Sequence, residues 1–226
     1  MGNYNHFAEE YARRTEELER ETRDHFYSLL PNLEGKLLLD VGCGSGHDAR
    51  YYIEKRAVVS GLDISDKVIE MATRTVPKGE FRVGDMRNLP YTSNQFDVIT
   101  SFYALQASED VPKSLREMVR VTKPNGTIVI LAKHPMRNML EGWKNNNKTN
   151  YYEQGDVTSH ILNRTITLTE PSHTLMEYLN PNLLQEAQLE LFEEHSDFPA
   201  SDRVIDGLTY PTYFIMKLRK RGALNQ

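Results

Sequence analysis

Glycine occupies every second position of Gly42-Cys43-Gly44-Ser45-Gly46, directly after the aliphatic-acidic run Leu37-Leu38-Leu39-Asp40-Val41. Glycine admits φ > 0 and lets a ligand approach the backbone closely. The next residues, His47 to Arg56, have helix-forming composition, and a helix N-terminus offers unpaired N–H groups and a positive dipole end. Strand, glycine loop and helix in this order suit a nucleotide-like ligand. The dinucleotide fingerprint G-x-G-x-x-G is missed because position 47 is histidine. A phosphate loop is excluded by the lack of a Gly-Lys-Ser/Thr ending. The bland alternative is a turn without a ligand, but three alternating glycines after a buried strand serve no packing purpose.

A second acid stands at the expected distance. Asp63 ends the apolar run Ala57-Val58-Val59-Ser60-Gly61-Leu62. One carboxylate there can accept hydrogen bonds from two vicinal hydroxyls, as a ribose would offer. The competing role is capping the helix that begins near Ser65, which Ser65 and Asp66 can fill themselves.

Leu39-Asp40-Val41-Gly42-Cys43-Gly44-Ser45-Gly46 resembles the first motif of class I S-adenosylmethionine-dependent methyltransferases. The similarity runs from about Tyr4 to Lys220 and is most specific at 37–46, 63, 85–86 and 96–105. It implies S-adenosyl-L-methionine as the cofactor and S-adenosyl-L-homocysteine as its product. It also implies a cofactor site drawn from Tyr11, Asp40, Gly42, Cys43, Gly44, Asp63, Ile64, Asp85, Met86, Ser101 and Phe102. In such a site Asp85 would accept from the adenine amine, and the Met86 thioether would pack on the purine face. Tyr4 to Tyr11 resembles the aromatic N-terminal segment that many such enzymes fold over the cofactor; otherwise Tyr11 only packs its helix onto the domain.

These residues need a scaffold. Apolar spacing predicts an amphipathic helix over 6–30, closed by Pro31 and Gly35. Strands are expected at 37–41, 57–62, 80–84, 96–101 and 127–132, and helices at 47–56, 66–74 and 111–121. Lys123-Pro124-Asn125-Gly126 reads as a turn. A helix over Leu175–Ala187 should kink or split at Pro181, before closing strands at Leu189–Glu194 and Tyr210–Leu218. This order is α/β: a Rossmann-like, doubly wound, seven-stranded sheet, mostly parallel with a C-terminal antiparallel hairpin, and helices on both faces. The expected organisation is a single methyltransferase domain over 1–226. It comprises a cap helix (1–34), a cofactor-binding core (35–133), a lid and acceptor insertion (134–172), and a C-terminal helix and hairpin (173–220). The insertion is expected as a long excursion with a solvated asparagine-rich tip, short strands resuming at Ile161–Leu168.

The implied reaction is in-line displacement of a methyl group onto an acceptor, for which alignment supplies much of the rate. Ligands of open sheets bind outside the strands' carboxyl ends, so Tyr103 and Gln106, with Trp143 and Tyr152 from the lid, are the expected acceptor pocket. Many relatives carry histidine after the leucine at this point; here Gln106 and Ala107 stand instead. His134 is the first candidate for a general base, against the reading that it holds the lid in place; His160 and His173 are weaker candidates. Cys43 has no basic partner to make it a nucleophile, and the seven histidines and one cysteine show no metal-ligand spacing.

Composition narrows the class. With 226 residues, 39% hydrophobic and 26% charged, the chain can bury one substantial core. A net charge of −5 gives no footprint for nucleic acid or an anionic membrane, and no Asn/Asp-Pro-Pro-aromatic motif follows the fourth strand. The single cysteine, the lack of an 18–20-residue apolar run and the lack of a signal-peptide core make the expectation a cytoplasmic protein. The expected acceptor is a small metabolite or natural-product intermediate, methylated on oxygen or nitrogen by a monomer or homodimer. A silent adenosylmethionine binder and a dehydrogenase are the alternatives.

Overall fold

The computed structural model describes residues 20–161, 166–196, 205 and 207–222. It begins with α1 (Arg20–Ser28), the described part of the expected N-terminal helix; Tyr11 lies outside the described residues. Then follow β1 (Leu37–Val41), α2 (His47–Glu54), β2 (Val58–Asp63), α3 (Asp66–Thr75), β3 (Glu80–Val83) and β4 (Phe96–Phe102). A 3-10 turn (Leu105–Ala107) leads to α4 (Val111–Val121) and β5 (Thr122–Lys133). The chain continues with α5 (Pro135–Asn146), β6 (Asp156–Ile161), β7 (Ile166–Pro171), α6 (Leu175–Tyr178), α7 (Pro181–Glu186), β8 (Ala187–His195) and β9 (Tyr213–Lys220).

Seven strands form one sheet in the order β3-β2-β1-β4-β5-β9-β8. The first five are parallel, and β9 runs antiparallel to both β5 and β8. Side chains alternate across a strand, and the core follows that period. Leu39 and Val41 join Ile99, Ile128, Ile130, Phe214 and Met216 under Leu115, Met118, Tyr178 and Leu183 of α4, α6 and α7. Leu38 faces the other way with Val59 and Val98, against Ala49 and Tyr52 of α2. On that side Phe26 of α1 packs with Phe102, Leu131 and Ile215. Strand order reverses between β1 and β4, which makes their carboxyl ends the crevice of an open α/β sheet.

Three expectations need correction. The 134–172 excursion is not a long loop. Asn145 and Asn146 complete α5, which ends at Asn147 in the left-handed conformation (φ 56°). Their weak helix propensity is offset by bonds to β6: Asn145 Nδ2 donates to Thr158 O at 2.7 Å, and Thr158 N donates to Asn146 Oδ1 at 2.9 Å. The strands expected at Ile161–Leu168 are instead the two arms of a separate hairpin, β6 and β7, on either side of 162–165. The last strand starts at Tyr213 rather than Tyr210, after Pro211, which cannot donate to a ladder. Pro181 does split its helix, opening α7 with Asn180 as N-cap. β5 also extends back through 122–126, with Asn125 at φ 63°.

Candidate functional site

The site is built around the end of β1. Gly42, Gly44 and Gly46 all have left-handed φ, of 77°, 51° and 81°, where a side chain would be strained. A Cβ on Gly42 would lie 2.1 Å from the Ala104 Cβ, so the loops after β1 and β4 touch, with the Met86 Cε 4.0 Å away. A Cβ on Gly44 meets nothing within 4 Å among the described residues, which leave this side of the loop open. Cys43 is buried, and burial pushes its thiol up, away from thiolate chemistry.

Asp40 lies beneath the loop, 1% exposed. Its Oδ1 accepts from Thr100 Oγ1 at 2.9 Å, while Oδ2 is buried with no partner among the described residues. Burial, and then the nearby Asp48 carboxylate, push its pKa up to about 8. A buried acid with a bare oxygen calls for a cationic or N–H-bearing ligand. Asp48 is itself engaged by Arg23 and by the Tyr27 hydroxyl, which donates at 2.5 Å. Arg23 also lies over the Phe102 ring, 4.2 Å from its centroid. α1 is thereby fastened to α2 and to the end of β4.

Asp63 joins two loops. Gly44 N donates to one of its oxygens and Ser65 N to the other, each at 3.0 Å. Ser65 caps α3, accepting from Val68 N at 3.3 Å. Burial raises the Asp63 pKa, and these backbone bonds counter part of the effect. Ile64 beside it is 49% exposed. Asp85 is gripped by the Arg87 guanidinium, through Nε at 2.9 Å and Nη2 at 2.7 Å, which holds its carboxyl below the usual range. Met86 is half-buried against the core.

At the end of β4, Phe102 is buried and the Ser101 Oγ is buried with no partner among the described residues. Tyr103 has φ 48°, an uncommon conformation for a large residue. Gln106 Nε2 fixes it by donating to Tyr103 O at 2.7 Å. Strain of this kind clusters at functional sites. Trp143 and Tyr152, by contrast, are 52% and 80% exposed on the insertion.

His134 is the N-cap of α5. Its Nδ1 accepts from Met136 N at 3.0 Å, and Nε2 pairs with Glu194 at 2.8 Å. With Nδ1 accepting, the neutral ring carries its proton on Nε2 and has no free lone pair. Burial lowers its pKa, and Glu194 offsets part of that. The geometry is that of a residue holding the insertion. His160 is exposed and bonded to Thr167. His173 is buried and pairs through Nδ1 with Glu177 at 2.9 Å. His25, Glu193 and His195 lie close enough to share a metal ion, though Glu193 already bonds both imidazoles.

Sequence reading missed Arg23, Tyr27 and Asp48, since pairs 21–25 residues apart leave no periodic trace. It also missed Asn138, buried in α5. The His173–Glu177 spacing of four on a helix start was a usable signal.

Crevice, glycine loop and the β8–β9 hairpin define the class: the protein is a class I S-adenosylmethionine-dependent methyltransferase. The methyltransferase-domain family matches residues 39–130. The chain is 27% identical to a malonyl-[acyl-carrier protein] O-methyltransferase of Pectobacterium atrosepticum, over 86% of this chain and 89% of that protein. It is 36% identical to a demethylmenaquinone methyltransferase of Thermotoga maritima, over half of each chain (50% and 50%). Among solved structures, an S-adenosylmethionine-dependent methyltransferase from Mesorhizobium loti has the same fold, with TM-score 0.71, 24% identity, and coverage of 87% of this chain and 96% of that one. The bare Asp40 oxygen and the open side of Gly44 fit S-adenosylmethionine, the cofactor of this class.

Proposed function

We propose that the chain transfers the methyl group of S-adenosylmethionine to an oxygen of a small acceptor. The observation that carries the oxygen is the reach of the Pectobacterium O-methyltransferase match, 86% of this chain, too much to leave out the insertion. The Thermotoga relative covers only 50% and bears less on the acceptor side.

In this reading Asp40 and the 42–46 loop hold the amino-acid end, Asp63 the ribose hydroxyls, and Asp85 with Met86 the adenine. Asp63 has lone-pair capacity left beyond its backbone donors. When bound, S-adenosylmethionine supplies the electrophilic methyl. The protein aligns the acceptor against it from the Phe102–Gln106 edge, under the insertion as a lid. His134 serves as a cap rather than a base. The net charge of −5 supports a small acceptor over a nucleic acid, and the single cysteine suits a reducing cytoplasm.

Incubation with methyl-labelled S-adenosylmethionine and a metabolite extract tests this, with label expected in an alkali- or acid-characterised O-methyl product. Label only on carbon or nitrogen would refute the oxygen assignment. Binding without any transfer would make the protein a silent binder.

A further inference from the structure

Three buried side chains between the 3-10 turn and the insertion carry acceptor atoms that nothing among the described residues satisfies. They are Oε1 of Gln106, Oδ1 of Asn138 and Nε2 of His173, on residues 4%, 2% and 6% exposed. Their identities are fixed by what the other end of each group does. Gln106 Nε2 donates to Tyr103 O at 2.7 Å, and Asn138 Nδ2 donates to Pro171 O at 3.4 Å. His173 Nδ1 faces the Glu177 carboxylate at 2.9 Å, so it carries the proton and leaves Nε2 a bare lone pair in the neutral ring.

The elements holding these atoms pack together. β7 lies on the 3-10 turn, α6 lies on α4 just beyond it, and Asn138 is tied to the end of β7, two residues from His173. Buried polar groups in folded proteins are nearly always paired. A set of unsatisfied acceptors asks for a partner rich in donors, and it repels a carboxylate.

We propose that this cluster is the polar end of the acceptor site, that the acceptor is a hydroxyl compound, and that His173 takes its proton. The inference rests on the O-methyltransferase reading and narrows it to a hydroxyl oxygen, unlike the carboxylate oxygen that a malonyl group offers. As the acceptor oxygen forms its bond to the methyl carbon, its O–H bond breaks and the proton moves to Nε2. The carbon–sulfur electron pair leaves with the sulfur. Glu177 is a positioning residue: it holds the tautomer and faces the imidazolium that results, as the carboxylate does in a hydrolase triad. Its other bonds, from Thr174 N at 3.2 Å and Gln154 Nε2 at 2.6 Å, fix it at the start of α6.

Phenol is the simplest probe with one O–H donor, and benzoate is its anionic control. The full chain, loaded with S-adenosylhomocysteine, is titrated with each while the nitrogen-15 resonances of its labelled histidines are followed. Phenol should move the Nε2 resonance of His173, and benzoate should not. A phenol titration that leaves Nε2 unmoved, as a resident water would, overturns the proposal, and so does equal binding of benzoate. If S-adenosylhomocysteine itself fails to bind, the methyltransferase reading fails first, which separates the two failures. In turnover, His173→Gln should slow methylation of phenol about 100-fold and of the more acidic 4-nitrophenol less than about tenfold, because an ionised acceptor needs no base. Equal losses on both would assign His173 a structural role alone. The resonance shift needs no variant and decides the matter if His173→Gln does not fold.

Discussion

Single carboxylates carry the most specific consequences. Asp40 has a folded pKa of about 8 because burial, then Asp48, disfavours its charge. The stabilisation linked to its proton is full below the ordinary carboxylate value of 3.8 and is lost as pH rises through about 8. A ligand ammonium beside Oδ2 favours the charged form. Binding of S-adenosylhomocysteine at pH 7 should therefore release about one proton to the buffer. Calorimetry in two buffers of different ionisation enthalpy measures this, and the release should vanish in Asp40→Asn. Release that survives in the variant would assign the proton elsewhere. Asp63→Ala tests the neighbouring acid. It strips the acceptor from Gly44 N and, in the proposed site, from the ribose, and should weaken S-adenosylhomocysteine binding by at least about tenfold, the scale of one charge-assisted hydrogen bond. Unchanged affinity would show that the ribose lies elsewhere.

At the scale of elements, the insertion is held by charge buried at the end of β5. Lys133 Nζ meets Glu170 at 2.7 Å, Ser159 at 2.8 Å and Glu141 at 3.1 Å, and Arg137 Nε meets Glu141 at 2.8 Å. Burial alone would raise the Glu141 pKa, but Lys133 and Arg137 reverse this and bring it to about 2. Replacing Lys133 by Met leaves two carboxylates with only Arg137 to balance them in a dry site, one negative charge in excess. The expected cost is about 3–5 kcal/mol in urea unfolding. Lys133→Met combined with Glu170→Gln should recover most of it, since Arg137 still balances Glu141 and the cluster is again neutral. No recovery would mean that packing, rather than charge, holds the insertion. This layer was not legible in the sequence. β1 to β5 were, because Leu38 against Leu39 and the glycine and proline punctuation are local signals. The α5–hairpin unit depends on Asn145, Asn146 and Thr158 satisfying one another across the fold, and asparagine taken alone reads as loop. Likewise Asp63 could be placed by spacing, whereas the His134 cap depended on Glu194, 60 residues away.

For the whole molecule, the sheet order and the adenosylmethionine reading make a joint statement about which ligand stabilises the fold. The site draws on the ends of β1, β2 and β4, and α1 is fastened over it through Arg23 and Asp48. A ligand there touches elements whose separation is part of global unfolding, so its binding energy adds to stability. At about 100 times its dissociation constant, S-adenosylhomocysteine should contribute about 2.7 kcal/mol. For a chain of this size that raises Tm by roughly 5–10 °C. NADH offers a ribose for Asp63 but brings a pyrophosphate toward Asp40, whose bare oxygen wants a cation, and it should leave Tm unchanged. A thermal shift measured with both ligands checks this. A rise with NADH equal to that with S-adenosylhomocysteine would mean that the glycine loop discriminates on shape alone, and that Asp40 has no part in selecting the ligand.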